Sequence, residues 1–389
     1  MDKKKYLLII LLFLFMQAAR GQTTNLQSAD STSNELYNRG DWSELIVFGK
    51  ETITQGVDFP GLRLRIAYAF MMAGNYKKAL QQYGIVLHAD PYNSTARYFA
   101  ALCNKYLNND LGYSYNQGFL TDKSGINSFG LINAGVEGSA KENNDLNRDN
   151  SYYTRESLSN RLSWRWELEE SFAYFNQGIF KLANGDGTGH HHEAADNQLE
   201  YYAKLSYAVN QHFTLIGAYH YLTTELYKIT YPSNVGLFGI KYNSTYADLQ
   251  GDLNFGRLDN KPITQYDGKV TLYPFGNFDL YSISKLSDLH LDASDRYIFN
   301  QTIGFKLIKN TWLESNVTFG DQDDYLDADG LYVYNSIDKT TFKCGETIFY
   351  QCGPHAQLQL NYAYERKDDI FQSLTYDQNS VTLGILWKF

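Results

Sequence analysis

Hydrophobic and polar residues alternate along most of the C-terminal two-thirds of the chain. In the last ten residues, five apolar side chains share one face of an extended strand: Val381, Leu383, Ile385, Trp387 and Phe389. The same period of two recurs in segments 162–168, 199–209, 249–255, 297–307 and 356–364. Long alternating segments with aromatic residues near their ends favour a transmembrane β-barrel over a β-sandwich, with 380–389 as its closing strand.

Tight turns and longer connections alternate between the predicted strands. The tight turns lie at 352–355, 309–310, 274–277, 243–244 and 210–211, and the longer connections at 366–378, 320–344, 287–295, 257–264, 223–233 and 179–197. Short turns at one end and long loops at the other are typical of outer-membrane barrels. Eleven strands fit from about Gln198 onward, and residues 112–178 add one or three. We therefore expect an antiparallel barrel of 12 or 14 strands within residues 108–389.

The second face of each strand is polar and is expected to line the lumen. The candidate lumen residues are Glu200, Lys204, His220, Asn300, Lys306, Gln357, Gln359 and Glu365. A lining of mixed charges and amides suits hydrated neutral solutes such as sugars, and it is also what any water-filled barrel presents.

The N-terminal part instead has a helical period and an internal repeat. Leu36, Gly40, Trp42 and Leu45 recur 34 residues later as an aromatic, a glycine, an aromatic and a small residue. This period resembles the tetratricopeptide repeat, and its clearer copy spans residues 60–93. The residues that carry the resemblance are Trp42, Ile66, Phe70, Gly74, Tyr76, Ala79, Tyr83 and Pro91.

The resemblance implies a short α-solenoid over residues 34–107 that holds a peptide or another protein. Residues 94–107 keep the helical period and are expected to form the capping helix that a repeat array needs at its end. Residues 22–33 are polar and predict a flexible leader. From about Gly112 the period changes from 3.6 to 2.

Residues 1–21 fit a secretory signal peptide. Lys3, Lys4 and Lys5 precede a short apolar core at 6–16, and Ala19-Arg20-Gly21 gives a small-x-small cleavage site. We expect the mature chain to begin at Gln22 and to be exported to the outer membrane, with the helical repeats in the periplasm. The alternative is a retained anchor, for which the apolar core is short.

The net charge limits the classes of molecule that the chain is expected to bind. Removing residues 1–21 takes away four basic residues and one acidic residue, which changes the formal charge from −9 to −12. Residues 22–107 carry a net charge of only +1, so the barrel is the acidic part. An acidic barrel disfavours nucleic acid and anionic polymers as partners and suits neutral or cationic solutes.

Three groups of residues could carry chemistry, and each has a plainer interpretation. His190, His191 and His192 beside Glu193 could bind a divalent metal, but they lie in a glycine-rich predicted loop. The acidic run 321–329 could supply calcium ligands, but it lacks the EF-hand spacing and predicts a hydrated loop. Residues 289–294 contain a histidine, an aspartate and a serine, in a predicted loop without a recognisable lipase signature.

The three cysteines predict neither a disulfide framework nor a metal site. Cys103 lies on the predicted capping helix, and we interpret it as a packing residue. Cys344 and Cys352 fall on one predicted strand, roughly 26 Å apart at about 3.3 Å per residue, which is too far for a disulfide. We expect no cofactor, no metal and no catalytic residue, and therefore a protein that is not an enzyme.

The order of these parts resembles the YaiO-type family of outer-membrane barrels with periplasmic tetratricopeptide repeats. It is also similar in architecture to the outer-membrane subunits of exopolysaccharide exporters, although those carry longer repeat arrays. The resemblance implies a barrel whose repeats dock a periplasmic protein and that serves polysaccharide export or assembly. Its implied partners are outer-membrane lipid, the barrel-assembly machinery, a periplasmic protein and a saccharide. The alternatives are a solute channel or receptor braced by its repeats, and an envelope enzyme or structural barrel.

Overall fold

The computed structural model describes residues 25–120, 129–145, 148–181, 192–226, 228–291, 294–369 and 374–389. The predicted signal peptide, His190, His191 and Asp292 lie outside these ranges, and the side chains of His192, Glu193 and Ser294 are not described. The chain divides into two compact units, with the boundary between Ala73 and Gly74. None of the helices in the described ranges combines the length and the apolarity that a helical membrane crossing requires.

The first unit contains three helices: α1 (Leu26–Arg39), α2 (Trp42–Thr54) and α3 (Pro60–Met72). The Asn25 side chain caps α1 by accepting a hydrogen bond from the backbone of Ser28, so the predicted flexible leader is wrong from residue 26 onward. Helices α2 and α3 approach closely at Gly49, where a Cβ atom would lie 2.4 Å from Ile66 Cδ1. Close approach at a glycine explains why this position carries no side chain.

The second unit begins with α4 (Tyr76–Ala89), α5 (Ser94–Tyr106) and α6 (Asp110–Gln117). Helix α6 was not predicted, so the expected change of period at Gly112 and a barrel beginning at residue 108 are wrong. Gly112 and the alternating Tyr113 and Tyr115 mask a helical face, yet Leu111 and Tyr115, one turn apart, are both buried.

Helices occur at the positions predicted for the repeats, but the two helices of the second predicted repeat belong to different units. Ile66 and Phe70 lie on the buried face of α3, and Ala79 and Tyr83 lie on the buried face of α4. Trp42 packs edge-on against Tyr68, Tyr76 stacks on Tyr106, Gly74 has a left-handed backbone, and Pro91 follows the end of α4. Within each unit, these residues therefore contribute to the helices and their packing.

Fourteen strands close the barrel, which resolves the choice between 12 and 14 strands. The order around it is β1-β16-β15-β14-β11, followed by β10 down to β2, and every neighbouring pair is antiparallel. The strands are β1 (Gly130–Asn143), β2 (Arg148–Ser163), β3 (Trp166–Lys181), β4 (His192–Ala208), β5 (Phe213–Leu226), β6 (Ile229–Asn243), β7 (Ala247–Leu258), β8 (Lys261–Leu272), β9 (Leu280–Leu291), β10 (Ser294–Ile308), β11 (Thr311–Phe319), β14 (Lys339–Cys352), β15 (Ala356–Asp369) and β16 (Leu374–Lys388). Two short strands, β12 (Tyr325–Asp327) and β13 (Tyr332–Tyr334), form a separate hairpin.

The apolar side of the strands faces outward. On β16, Val381, Leu383, Ile385 and Trp387 are 47–64% exposed, although each is apolar, and Phe389 follows them at 66%. Apolar residues on the other strands are exposed in the same way, for example Phe172, Leu199, Phe238 and Tyr297. A soluble protein rarely exposes so much contiguous apolar surface, whereas a transmembrane barrel presents it to lipid.

The barrel has the predicted tight turns at one end, but its loops at the other end are mostly shorter than predicted. The predicted tight turns are present, and we call that end the turn end. At the other end, the loop end, most predicted long loops are wrong because the strands continue past their expected limits. Strands β7 and β8, for example, are joined by Asp259 and Asn260 alone, both with left-handed backbones (φ 46° and 68°). Polar residues beyond the apolar belt still pair as strands, because ladder hydrogen bonds do not depend on side-chain polarity.

Helices α4 and α6 contact the turn end. Lys77 on α4 forms a buried ion pair of 2.5 Å with Asp248 on β7, and its ammonium lies 4.6 Å from the ring centroid of Tyr273. Burial lowers the pKa of Lys77, although the charge of Asp248 opposes that effect. On α6, Leu111 and Tyr115 pack with Phe119 against Trp164 in the β2–β3 turn.

Candidate functional site

Residues 320–338, which connect β11 to β14, fold into the barrel lumen, and we call them the lumen loop. The loop contains the β12–β13 hairpin. It contacts inward-facing side chains on both sides of the lumen, from β1 and β2 on one side to β8 and β9 on the other. The loop therefore crosses the bore.

An apolar cluster holds one side of the hairpin near the loop end. Tyr325 and Leu326 have no exposed surface, and Val333 and Tyr334 pack beside them. They contact apolar residues of six strands: Leu222, Val235, Leu258, Ile263, Leu289, Leu291 and Ile298. The Gln265 side chain also donates to the Leu326 carbonyl (2.7 Å) and accepts from its N–H (3.0 Å). Burying two large side chains in this way contributes several kcal/mol, at about 2 kcal/mol each.

A second anchor lies at Asp329, in the turn of the hairpin. Its carboxylate accepts hydrogen bonds from Lys269 Nζ at 2.8 Å and from Gln250 Nε2 at 2.9 Å. Lys204 Nζ lies 3.6 Å from the same carboxylate and 2.9 Å from Glu169. The neighbouring Gly330 carbonyl lies 2.8 Å from His220 Nδ1. Four strands of the wall, β4, β5, β7 and β8, thus hold the turn of the loop through charged or polar groups.

Further ion pairs tie the rest of the loop to the wall. Lys285 Nζ lies 3.0 Å from Asp327. At the end of the loop, Asp338 accepts two hydrogen bonds from Arg148, at 2.6 and 2.8 Å, in a bidentate pair that is almost completely buried. Tyr332, which lies between Asp327 and Asp338 in the loop, accepts a hydrogen bond from Arg155 at 2.7 Å and donates one to Glu137 at 3.2 Å.

The prediction that the acidic run 321–329 forms a hydrated outer loop is therefore wrong. Asp327 and Asp329 form ion pairs with lysines of the barrel wall, Lys285 and Lys269. Asp321 and Asp323 form ion pairs with Arg296. Within the described ranges, no group of three or more His, Cys, Asp or Glu side chains is arranged to hold a metal ion. The alternative that this run binds calcium has no coordination geometry in its favour.

Asp324 differs from these paired carboxylates. It is buried beside the β7–β8 turn, and its backbone N–H donates to the Tyr334 carbonyl at 2.8 Å. Burial raises the pKa of Asp324 to about 7, and the nearby charges of Asp323 and Asp259 act in the same direction. Its charge therefore changes within the physiological pH range.

A cavity of about 500 Å³ remains between the lumen loop and the wall. Glu200, Asn300, Gln359 and Glu365, all predicted to face the lumen, line it. Lys204 and His220 also point inward, where they contact the loop as described above. Lys306 pairs with Asp279 near the turn end, and Gln357 shares the inward parity of Gln359 on β15.

The candidates for catalysis do not assemble into a nucleophilic site. The polar partners of His220 in the described part of the chain are Glu200, at 3.4 Å, and the Gly330 carbonyl. Those of His290 are Asp295, at 2.6 Å, and Asp288, at 3.4 Å. Both histidines face carboxylates, and no serine hydroxyl is among these partners. Burial raises the pKa of Cys103 to about 12, which makes its thiol unreactive and fits the interpretation as a packing residue.

Sequence reasoning missed the residues that position the loop: Arg148, Arg155, Lys269, Lys285, Asp329 and Asp338. A usable signal existed, because Lys269 on β8, Lys285 on β9 and Lys343 on β14 occupy inward-facing positions of their strands. Buried lysines require carboxylate partners. The acidic run 321–329 was the nearest unassigned supply of carboxylates.

Comparison with solved structures finds outer-membrane barrels. The Pseudomonas putida toluene transporter TodX is 8% identical, over 70% of this chain and 91% of that chain, with a TM-score of 0.47. Omp33 of Acinetobacter baumannii is 7% identical over 67% and 99%, with a TM-score of 0.38. A bacterial polysaccharide outer membrane secretin is 8% identical over 67% and 98%, with a TM-score of 0.41. No protein-family model matches the sequence, and no curated protein matches it.

Proposed function

We propose that this chain is an outer-membrane β-barrel, not an enzyme, that admits small hydrated solutes of saccharide size to a lumen narrowed by its own loop. The observation that carries the proposal is the polar cavity of about 500 Å³ beside the lumen loop. Its size falls in the range of about 300–1,000 Å³ that is usual for small-molecule sites. Its lining of hydroxyl, amide and charged groups suits a solute that keeps part of its hydration.

The exposed apolar belt supports the membrane location. A closed barrel with outward-facing Leu, Ile, Val and aromatic side chains gains free energy from lipid on that surface. Heat-modifiable migration on an SDS gel tests this point. We expect the folded barrel to migrate differently before and after boiling, and identical migration of both samples would overturn the membrane proposal.

Planar-bilayer conductance tests passage through the lumen. We expect small current steps from the wild type and larger steps from a variant in which residues 322–336 are replaced by a short glycine-serine linker, because the loop occupies part of the bore. Absence of current from both proteins would show that the barrel is not a solute channel.

The N-terminal helices are the proposed periplasmic docking module, and the order of helices and barrel supports the proposed assignment to the YaiO-type family. Tyr92, just before α5, is 74% exposed, and Tyr98, within α5, is 48% exposed. Large exposed aromatic side chains are common in protein interfaces. Photo-crosslinking in cells from position 98 of the full-length protein, with position 83 as a buried control, tests this module. We expect a specific crosslinked periplasmic protein from position 98 only.

Export of a polysaccharide is the second function that we propose. The hydroxyl-rich and amide-rich lining of the lumen supports it, because sugars are recognised by such groups. A polymer requires the lumen loop to leave the bore, which exposes Tyr325 and Leu326. For this reason we place small-solute passage first. Loss of surface polysaccharide in a deletion strain, restored by the wild type, would favour export.

A further inference from the structure

Three lysines and one glutamate share a patch of the lumen wall formed by β14, β15, β16 and β1. Lys343 and Glu365 are direct cross-strand partners, and Lys367 is the next inward-facing residue after Glu365 on β15. Lys141 on β1 pairs in register with Ser380 on β16. All four charged residues line the cavity beside the lumen loop.

The patch has more positive than negative charge. Glu365 is 3.2 Å from Lys343 Nζ, and its second oxygen accepts a hydrogen bond from Gln378 at 3.0 Å. Lys367 Nζ donates to the hydroxyl of Ser336 in the lumen loop at 3.1 Å, and Lys141 Nζ lies 5.9 Å from the ring centroid of Phe175. Within the described ranges, neither Lys141 nor Lys367 forms an ion pair. One carboxylate therefore serves three ammonium groups.

This imbalance has an energetic consequence. Lys367 is only 7% exposed, and its neighbouring carboxylates, Glu365 and Asp338, are already paired with Lys343 and Arg148. A buried ammonium group that must share its counter-charges is costly. Three other carboxylates of the cavity contact groups outside the patch: Glu137 pairs with Arg155, Glu314 accepts a hydrogen bond from Tyr281, and Glu200 lies 3.4 Å from His220. An anionic group in the cavity would supply the missing charge. The nearby Ser139, Asn361 and Thr382 side chains offer hydrogen bonds to hydroxyl groups.

We propose that Lys141 and Lys367 form a subsite for the anionic group of a polyhydroxylated solute, such as the carboxylate of a sugar acid or the phosphate of a sugar phosphate. This inference rests on the proposed function, in which the lumen admits small hydrated solutes, and it names their charge. It differs from the expectation drawn from net charge, because within this patch three lysines face one carboxylate, Glu365.

Calorimetric titration of the detergent-folded, full-length protein tests the subsite without requiring conduction. The probes are D-glucuronate, D-glucose 6-phosphate and, as the neutral match, D-glucose. We expect both anions to bind at least about tenfold more tightly than D-glucose, and K141M and K367M each to weaken anion binding by about tenfold while leaving D-glucose unchanged. A preference for only one anion would identify the group as carboxylate or phosphate.

Two further variants keep the result interpretable. E365Q removes the competing negative charge and should strengthen anion binding, which a folding defect would not do. K306M removes an inward-facing lysine outside the cavity and should leave binding unchanged. Equal binding of D-glucuronate, D-glucose 6-phosphate and D-glucose, or unaltered anion binding in K141M and K367M, overturns the subsite. Binding without any bilayer current would instead overturn the channel proposal and leave the subsite intact.

Discussion

Asp329 of the lumen loop accepts a hydrogen bond of 2.8 Å from Lys269 on β8. Replacing Lys269 with methionine removes this charge-assisted bond and leaves Asp329 with Lys204 and Gln250. We expect K269M to weaken the attachment of the loop by about 2 kcal/mol, which corresponds to about thirtyfold faster hydrogen exchange of residues 320–338. Mass spectrometry of the exchanging protein in detergent measures this rate. Lys309 lies exposed in the β10–β11 turn, so K309M should exchange like the wild type. Unchanged protection in K269M would contradict the anchoring role.

The protonation of Asp324 makes the loop sensitive to pH. The ordinary pKa of this carboxyl is 3.8, and burial raises it to about 7. Between these values the native state keeps a proton that the unfolded chain has released, so folded-loop stability falls as pH rises through this range. The expected loss is on the order of 3 kcal/mol between pH 4 and pH 8. Protection factors of residues 320–338, referred to the intrinsic exchange rate at each pH, measure it.

D324N is the matched control for this pH dependence. Asn is nearly isosteric with Asp and tolerates the left-handed backbone of this position (φ 57°). We expect the variant to retain a well-protected loop at pH 8 and to lose most of the pH dependence. A pH dependence equal to that of the wild type would assign the effect to other groups.

The cysteines should differ in reactivity. Cys103 is fully buried with a pKa raised to about 12, whereas Cys352 is exposed next to the β14–β15 turn. We expect a maleimide at pH 7.5 to modify Cys352 in the folded protein and Cys103 only after unfolding in SDS, as read by peptide mass mapping. On intact cells, a membrane-impermeant maleimide should leave Cys352 unmodified if the turn end faces the periplasm. Rapid modification on intact cells would reverse the proposed orientation.

The ion pair between Lys77 and Asp248 should dominate the attachment of α4 to the barrel. Both side chains are 7% exposed, so D248N leaves an ammonium buried without a carboxylate, at a cost of about 3–5 kcal/mol. We expect α4 to become accessible to trypsin at Lys78 and to lose hydrogen-exchange protection in this variant.

The double variant K77M/D248N distinguishes the cost of an unpaired buried charge from the loss of the ion pair itself. Methionine keeps the contact with the Tyr273 ring and removes the buried charge, so the double variant should recover most of the protection. D90N, at an exposed position after α4, should behave like the wild type. Equal loss of protection in D248N and in the double variant would show that the charge itself is not the cause.

Alternation along the chain was sufficient to predict the barrel, its tight turns and its outward face, because these depend on local periodicity. Asn300, Gln359 and Glu365 follow directly from the parity of their strands. Helix α6 could not be predicted in the same way, since Gly112 and two alternating tyrosines imitate the start of a strand. The polar ends of strands such as β7 also appear as loops, because backbone pairing leaves no apolar pattern there.

The lumen loop could not be predicted for a different reason. A run of aspartates has the composition of a solvated loop, and its position depends on partners far away in the sequence. Asp338, for example, binds Arg148, which is 190 residues distant. Only the count of inward-facing lysines, compared with the carboxylates available to them, indicates that an acidic segment belongs inside.

Because the lumen loop is attached to β2 through Arg148 and Arg155 and to β8 and β9 through Lys269 and Lys285, it links sections of the wall across the bore. Such a tie acts as a transverse brace. We expect it to limit changes in the cross-section of the barrel, because wall sections that are joined across the bore do not move apart independently. In a variant without the loop we expect larger current steps and also a wider spread of step sizes, and the spread reports movement of the wall separately from mean pore width.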